Sequence, residues 1–391
     1  MQLIAEPKSE MPTSGGSSWG TIPAPDQIEV SLFGPGFGEC VLIHIGGGKW
    51  VVVDSCIDAD TGSAVALNYL RSLGVDCSTA VLAIVATHWH DDHIRGLAEI
   101  VGACPKSKFV CSSAMTTKEF DAMVLAFDGQ RMVRASTGVA EVNRVFELLQ
   151  DKARPRARYA IAGRTVFHFG ADKLGAGRTA TCTALSPSDY DDQEARVAFG
   201  RLIPREKETQ YRCPADQPNL FSVALHLSIG GTHVLLGADL ENVADIRRGW
   251  QAVLLDKTLP VNRSVLFKIP HHGGKSAFNS DVWSNLLETT PIAVTSPWQR
   301  AGRRLPSSDD IQRIASCTPL GFLTADPEVA HSPAVGRPAA VLRQIREMGA
   351  RLTRIEPPSG AVRFRKEANA SEWTFKLYNS AMQITATPTA R

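Results

Sequence analysis

The chain has 391 residues, of which 43% are hydrophobic and 21% are charged, a composition that excludes wholesale disorder and allows a large buried core. Lys and Arg number 42 against 40 Asp and Glu, for a formal net charge of +2, so bulk charge does not indicate a polyanionic partner. The apolar runs are far shorter than the roughly 18 residues of a membrane span, and no apolar segment follows a basic start. We therefore expect a cytoplasmic protein with no signal peptide and no membrane contact. The eight cysteines form no C-x-x-C pair and predict reduced thiols.

The N-terminal third of the chain shows the alternation and punctuation of a mixed α/β fold. Residues 1–26 contain Pro, Ser and Gly without periodicity and predict a flexible lead-in. The region that follows predicts, in chain order, a strand at 28–33, a hairpin of strands at 40–45 and 50–53, a helix at 63–73 and a buried strand at 81–87.

The remaining chain continues to alternate helices and strands. Residues 114–151 predict a helical insertion over one rim of the core. Strands are predicted at 183–185, 221–229, 232–236, 265–269, 292–295 and 321–324, with helices at 241–255, 280–288 and 307–317. We predict one α/β domain over 27–325 and a C-terminal α/β extension over 326–391 packed on it, with a helix at 339–348 and strands at 351–355, 361–365 and 373–378.

The strongest chemical signal is the segment Thr87-His88-Trp89-His90-Asp91-Asp92-His93. His88 and His90 are two residues apart, so in an extended segment their imidazoles project to the same side. Three imidazoles and the Asp92 carboxylate at the end of an apolar strand suit zinc, manganese or iron. The competing interpretation is a solvated His-rich loop or adventitious metal binding.

This segment resembles the signature of the metallo-β-lactamase fold family, His-x-His-x-Asp-His, at all four positions. The resemblance implies that His88 and His90 hold one metal ion, and that Asp92 and His93 hold a second. It further implies that Asp54 supports the metal loop, that Asp239 in Leu235–Asp239 bridges both ions, and that Lys268–Gly274 is the final histidine motif. The implied fold is an αββα sandwich.

Three further motifs resemble the ComEC-like branch of that family, which includes the hydrolase domain of a DNA-uptake protein. They are Gly36–Cys40, the segment from Asn219 to Ser222, and the His-His-Gly motif itself. The resemblance covers about residues 27–325.

One position departs from the family pattern. Ser186 stands where many relatives carry a histidine that completes the first metal site, and Asp189 follows three residues later. The resemblance implies two divalent ions, most simply zinc, with manganese or iron as alternatives. Because serine is a poor metal ligand, we expect the first site to be weak, to recruit Asp189 or water, or to be empty.

His271 and His272 are adjacent, and neighbouring residues of an extended chain face opposite ways. One of them is expected to be a metal ligand, and the other to bind substrate or protonate the leaving group. With Asp92, they are the candidate catalytic residues.

These residues predict a metallo-hydrolase that uses a metal-bound hydroxide on phosphodiester bonds of nucleic acid or a nucleotide. Basic residues at 152–158 and 343–366 favour a phosphate-bearing substrate, and the family association adds a protein partner. The alternatives are hydrolysis of phosphocholine esters, carboxylic esters or lactones, and a non-catalytic or one-metal regulatory subunit.

Overall fold

The computed structural model describes residues 2–8, 19–34, 38–58, 61–118, 120, 122, 138–175, 177–202, 218–300, 303–327, 347–348, 360–367 and 370–385. Residues 119, 121 and 123–137 of the predicted insertion at 114–151, residues 339–346 of the predicted helix at 339–348 and the whole predicted strand at 351–355 lie outside these residues. Among the residues described, we find no helix with the length and hydrophobicity needed to cross a bilayer.

Two large sheets form the centre of the structure. The first has nine strands in the spatial order β1 (Leu3–Ala5), β18 (Trp373–Tyr378), β17 (Ala361–Lys366), β2 (Ile28–Phe33), β3 (Cys40–Gly46), β4 (Lys49–Val53), β5 (Val81–Ala86), β6 (Lys108–Ser112) and β7 (Arg158–Ala160). The second has eight, in the order β19 (Met382–Gln383), β16 (Gly321–Leu323), β13 (Leu287–Thr295), β12 (Ser264–Lys268), β11 (Thr232–Leu236), β10 (Leu225–Ile229), β9 (Ala180–Ala184) and β8 (Thr165–Phe169). A separate hairpin that the sequence did not predict consists of β14 (Trp298–Arg300) and β15 (Arg303–Leu305).

Helices cover the outer faces of both sheets. Those described are α1 (Val65–Ser72), α2 (Cys77–Ala80), α3 (Asp91–Ile94), α4 (Leu97–Ala103), α5 (Gly138–Leu149), α6 (Ala171–Leu174), α7 (Asp189–Leu202), α8 (Gly249–Leu255), α9 (Ser280–Asn285) and α10 (Ser308–Cys317). One apolar cluster joins the first sheet to α1, α4 and α5, a second fills the space between the sheets, and a third joins the second sheet to α8, α9 and α10. These layers confirm the predicted mixed α/β fold and its αββα arrangement.

Both chain ends contribute strands to these sheets. In the C-terminal extension, β17 pairs antiparallel with β2 and β19 pairs with β16, so the extension completes both sheets. The N-terminal segment differs from the flexible lead-in that its composition predicts, because β1 pairs parallel with β18 and Trp19 is buried against Phe33 and Tyr69.

A buried ion pair fastens the C-terminal strand to the core. Arg365 on β17 donates to Glu29 on β2 over 2.7 Å, and the same carboxylate accepts hydrogen bonds from Tyr69 and Ser31. Arg363 is also buried and is paired with Glu6. Arg363 and Arg365 belong to the basic residues from which the sequence predicts a phosphate-bearing substrate. Both instead form buried ion pairs within the fold.

We expect Arg365→Met to lower the free energy of unfolding by about 3–5 kcal/mol, because it leaves the Glu29 carboxylate buried without its cation. Urea denaturation measures the change. Arg71→Met, which removes an exposed pair with Glu99, is the control and should cost at most about 1 kcal/mol. Equal losses in the two variants would contradict the assignment.

Candidate metal centre

The His88–His93 segment begins where β5 ends. Its first part is extended, and α3 then presents Asp92 and His93. The segment packs on Gly38, whose positive φ and lack of a Cβ are both required there, because a Cβ would clash with the carbonyl oxygen of Asp92. The following amide, that of Glu39, donates to the same oxygen over 2.8 Å. This contact explains the second glycine of the Gly36–Cys40 motif; Gly36 and Phe37 lie outside the described residues.

Hydrogen bonds at Nδ1 orient three of the histidines. His88 Nδ1 lies 3.0 Å from the Thr87 hydroxyl, His93 Nδ1 lies 2.8 Å from Oδ2 of Asp54, and His272 Nδ1 lies 3.0 Å from the carbonyl oxygen of Ser296. When Nδ1 carries the proton that these partners accept, the Nε2 lone pair of each ring is free to bind a cation. The supporting role predicted for Asp54 agrees with this geometry, since it also accepts from the amide and hydroxyl of Thr87.

The free Nε2 atoms converge on two carboxylates. Asp239 Oδ1 lies 3.3 Å from His93 Nε2, and its Oδ2 lies 4.0 Å from His88 Nε2 and 3.8 Å from His272 Nε2. Asp92 Oδ2 lies 3.2 Å from His272 Nε2. Two groups of metal-ligating atoms form around these Nε2 atoms, His88–His93–Asp239 and Asp92–His93–His272, each within 4.8 Å, and a third, Glu39–Asp54–His93, forms on the Nδ1 side of His93. His90 joins the first group through Nδ1, which lies 3.1 Å from His88 Nε2.

The cluster contains buried polar atoms that the protein leaves unpaired. His93 Nε2 and Asp239 Oδ1 are buried and have no hydrogen-bond partner among the described residues, although they face each other. Leaving such atoms without a partner is costly, and both are of the type that binds divalent transition metals. The residues present therefore fit the metal ions that the sequence predicts.

Burial and charge set the protonation of the ligands. Burial, together with the neighbouring His93 and His90, holds the pKa of His88 well below its usual range, and burial also lowers the pKa of His90. Burial alone would raise the pKa of Asp92, but its hydrogen bond from His272 and the nearby His93 lower it below the usual value. Burial would lower the pKa of His93, but Asp239 and Asp54 raise it well above its usual range, so metal binding to the neutral form of this ring would release a proton.

Backbone strain is concentrated at this site. Among the described non-glycine residues, five have positive φ, and four of them are Asp54, Ala238, His271 and His272. Such conformations cost on the order of 1–3 kcal/mol each and persist where the surrounding structure imposes them. The prediction that His271 and His272 face opposite ways assumes an extended backbone at both residues. Their positive φ angles show that the backbone is left-handed there instead.

The structure separates the roles of the two adjacent histidines. The His272 side chain is 2% exposed and points at Asp92 and Asp239. The His271 side chain is 21% exposed, and its Nδ1 lies 2.5 Å from Glu241 Oε1. Burial would lower the pKa of His271, but Glu241 and Asp239 raise it. His272 therefore lies with the ligand cluster and His271 lies beside it.

Ser186 and Asp189, where the sequence departs from the family pattern, and the nearby predicted residue Asn219 have three different surroundings. Ser186 donates its hydroxyl to the carbonyl oxygen of Ser222 over 2.6 Å and accepts from the amide of Ala224 over 2.8 Å. Asp189 is exposed at the start of α7. Asn219 does reach the site, where its Nδ2 lies 3.3 Å from His271 Nε2.

Sequence reasoning missed two charged residues at this site, Glu39 and Lys268, which form a buried ion pair beneath Asp239. The sequence does contain a signal for their burial, because each is a charged residue beside or within an apolar strand. Glu241, which holds His271, carried no such signal. Trp89, which lies between His88 and His90 in the sequence, is packed among Phe120, Phe199 and Phe221.

Comparison with known proteins identifies the fold family. Residues 33–179, less than half of the chain, match the family model "Metallo-beta-lactamase superfamily". The chain contains a metallo-β-lactamase superfamily domain. The match includes the His88–His93 segment, whereas Asp239 and His272 lie beyond it, and it leaves the ComEC-like branch unassigned. For the metallo-β-lactamase domain, this family indicates metal-dependent hydrolase activity. Its members bind divalent metals, usually zinc.

Solved structures related to this metallo-β-lactamase domain have low sequence identity to it. The metallo-beta-lactamase fold protein YhfI from Bacillus subtilis is 13% identical, with 61% of this chain and 70% of that chain covered and a TM-score of 0.31. Zn²⁺-bound PqqB from Methylobacterium extorquens is 11% identical, with 58% of each chain covered and a TM-score of 0.28. A variant of the CmlA β-hydroxylase is 14% identical, with 88% of this chain and 55% of that chain covered and a TM-score of 0.35. No curated protein matches the sequence.

We expect Ser186→Ala to keep the metal content of the protein while lowering the free energy of unfolding by about 1–3 kcal/mol, since two buried backbone groups lose their partner. Elemental analysis and urea denaturation measure the two effects. Asp92→Ala, which removes a carboxylate of the cluster, is the comparison variant and should lose metal. Loss of an ion from Ser186→Ala would mean that this hydroxyl is a ligand.

Proposed function

We propose that the metallo-β-lactamase domain is a two-metal hydrolase that cleaves phosphodiester bonds in nucleic acid or a nucleotide. The observation that carries this proposal is the convergence of the Nε2 atoms of His88, His93 and His272 on one carboxylate, Asp239. Paired sites of this kind suit in-line displacement at phosphorus, because both the attacking and the leaving oxygen are stabilised.

The resemblance to the metallo-β-lactamase family suggests which residues would hold each ion. The first ion would be held by His88, His90 and Asp239. The second ion would share Asp239 and would also be held by Asp92, His93 and His272. When bound, such ions activate water as a nucleophile near neutral pH and offset negative charge on the attacked phosphoryl group. Zinc is the ion expected for this set of imidazoles and carboxylates, with manganese or iron as alternatives. The first site has three protein ligands against four, so we expect it to bind its ion more weakly.

The protein's own residues orient the ligands and the substrate. Asp54 and Ser296 fix the rings of His93 and His272 through Nδ1. Glu241 holds the partly exposed ring of His271, whose Nε2 lies beside the Asn219 amide. These two groups can hydrogen-bond a phosphoryl or leaving-group oxygen next to the ligand cluster.

We expect the metal-loaded protein to hydrolyse a bis-aryl phosphodiester faster than an aryl phosphomonoester or a lactone, and to lose that activity in Asp92→Ala. Initial rates at matched metal content test this. A preference for lactones or carboxylic esters would favour the second enzymatic interpretation. A metal-loaded protein inactive on all of these substrates would contradict the hydrolase proposal and favour a regulatory subunit.

The two histidines of the His-His-Gly motif should respond differently to substitution. We expect His272→Ala to lose bound metal. His271→Ala should keep its metal and lose roughly 10- to 100-fold in kcat/KM, the effect of one hydrogen bond to a charged oxygen. Metal analysis beside steady-state kinetics separates the two variants. If His271→Ala also lost metal, His271 would be a ligand.

A further inference from the structure

The lysine beneath the ligand cluster is buried on every side. The Lys268 side chain is 2% exposed, its ammonium group is paired with Glu39, and its Nζ lies 3.8 Å from Oδ1 of Asp239. We propose that the Lys268–Glu39 pair is a positioning device that fixes Asp239 and His272, the two ligands that come from the second sheet. This inference rests on the metal centre proposed above.

Lys268 acts on the backbone that carries Asp239. Its Nζ donates to the carbonyl oxygen of Ala238 over 2.8 Å, and its own carbonyl accepts from the amide of Gly237 over 3.0 Å. Ala238 has a φ of 45°, a conformation that a residue with a side chain adopts only when it is held there. The lysine therefore holds the turn that aims the Asp239 carboxylate at the histidines.

Glu39 reaches His272 directly, with its Oε2 3.7 Å from Nδ1 of the ring, and also through one intermediate residue. Its Oε1 is paired with Lys268, while its Oε2 accepts from the Ser296 hydroxyl over 2.6 Å. The carbonyl of Ser296 in turn lies 3.0 Å from Nδ1 of His272. Since the amide of Glu39 also donates to the Asp92 carbonyl, this one residue contacts the supports of ligands from both sheets.

An alternative role for the pair is charge balance alone. Four buried carboxylates lie at the site, Glu39, Asp54, Asp92 and Asp239, and Lys268 is the buried lysine beside them. If only net charge mattered, removing the ammonium would tighten cation binding and removing the Glu39 charge would weaken it. Removing both would restore the original affinity. A positioning role predicts weaker cation binding in all three variants, because each one loses part of the hydrogen-bond network that holds Asp239 and His272.

The test is cobalt(II) binding to metal-depleted full-length protein, followed by the visible absorption bands that report ligand geometry. The variants are Lys268→Met, Glu39→Gln and the double variant. We expect cobalt affinity to fall roughly 10- to 100-fold in each, as for other residues that orient metal ligands, with altered band positions and intensities. Near-ultraviolet circular dichroism shows that each protein is folded, and the double variant, which leaves no buried charge unpaired, keeps the test decisive if Lys268→Met does not fold.

A matched control is the buried pair Glu29–Arg365, which lies between β2 and β17. The double variant Glu29→Gln with Arg365→Met removes the same kinds of charge and should leave cobalt affinity and spectrum unchanged. Tighter binding in Lys268→Met, or a double variant of Lys268 and Glu39 with wild-type affinity and spectrum, would overturn the positioning role. Absence of cobalt binding by the wild-type protein would instead overturn the proposed metal centre.

Discussion

The structure depends on a concentration of buried negative charge where its two sheets meet. Carboxylates are rarely buried unless they are paired, because removing an ion from water is costly. Here Asp92 and Asp239 face histidine nitrogens, with the Lys268 ammonium 3.8 Å from Oδ1 of Asp239, and burial keeps the pKa of His88 well below its usual value. A buried site in which His93 Nε2 and Asp239 Oδ1 have no hydrogen-bond partner among the described residues has the kind of donor atoms that bind divalent metal ions.

Each sheet contributes only part of this arrangement. The first sheet provides the His88–His93 segment and its support Asp54, and the second provides Asp239 and His272. The apolar cluster between the sheets sets the distance across which these groups meet. The C-terminal strands matter for the same reason, since β17 lies within the first sheet and β19 at an edge of the second.

Orientation of the ligands is achieved by ordinary hydrogen bonds and backbone strain. Nδ1 of His88, His93 and His272 each has a neighbouring oxygen acceptor, so that the same ring atom, Nε2, is directed to the cluster. The strained backbone at Ala238 is held by the Lys268 ammonium. His271, which lacks contact with the ligand carboxylates, is held by Glu241 at the edge of the site and remains partly exposed. This division leaves one group available for substrate.

The sequence by itself determined the elements whose signals are local. The strand at 28–33, the hairpin that follows it and the His88–His93 segment at the end of a buried strand were predictable, because short-range periodicity and spacing fix them. Only the tertiary structure decided what depends on distant residues. It turned Ser186 to the backbone of Ser222, separated His271 from His272 through left-handed backbone, and brought Glu39 against Lys268 from the opposite sheet. It also placed β1, from a segment whose composition predicts a flexible lead-in, beside β18. The choice of partner in a strand pairing or ion pair between residues hundreds of positions apart has no local signature, because its energy exists only once the distant segments meet in the folded chain.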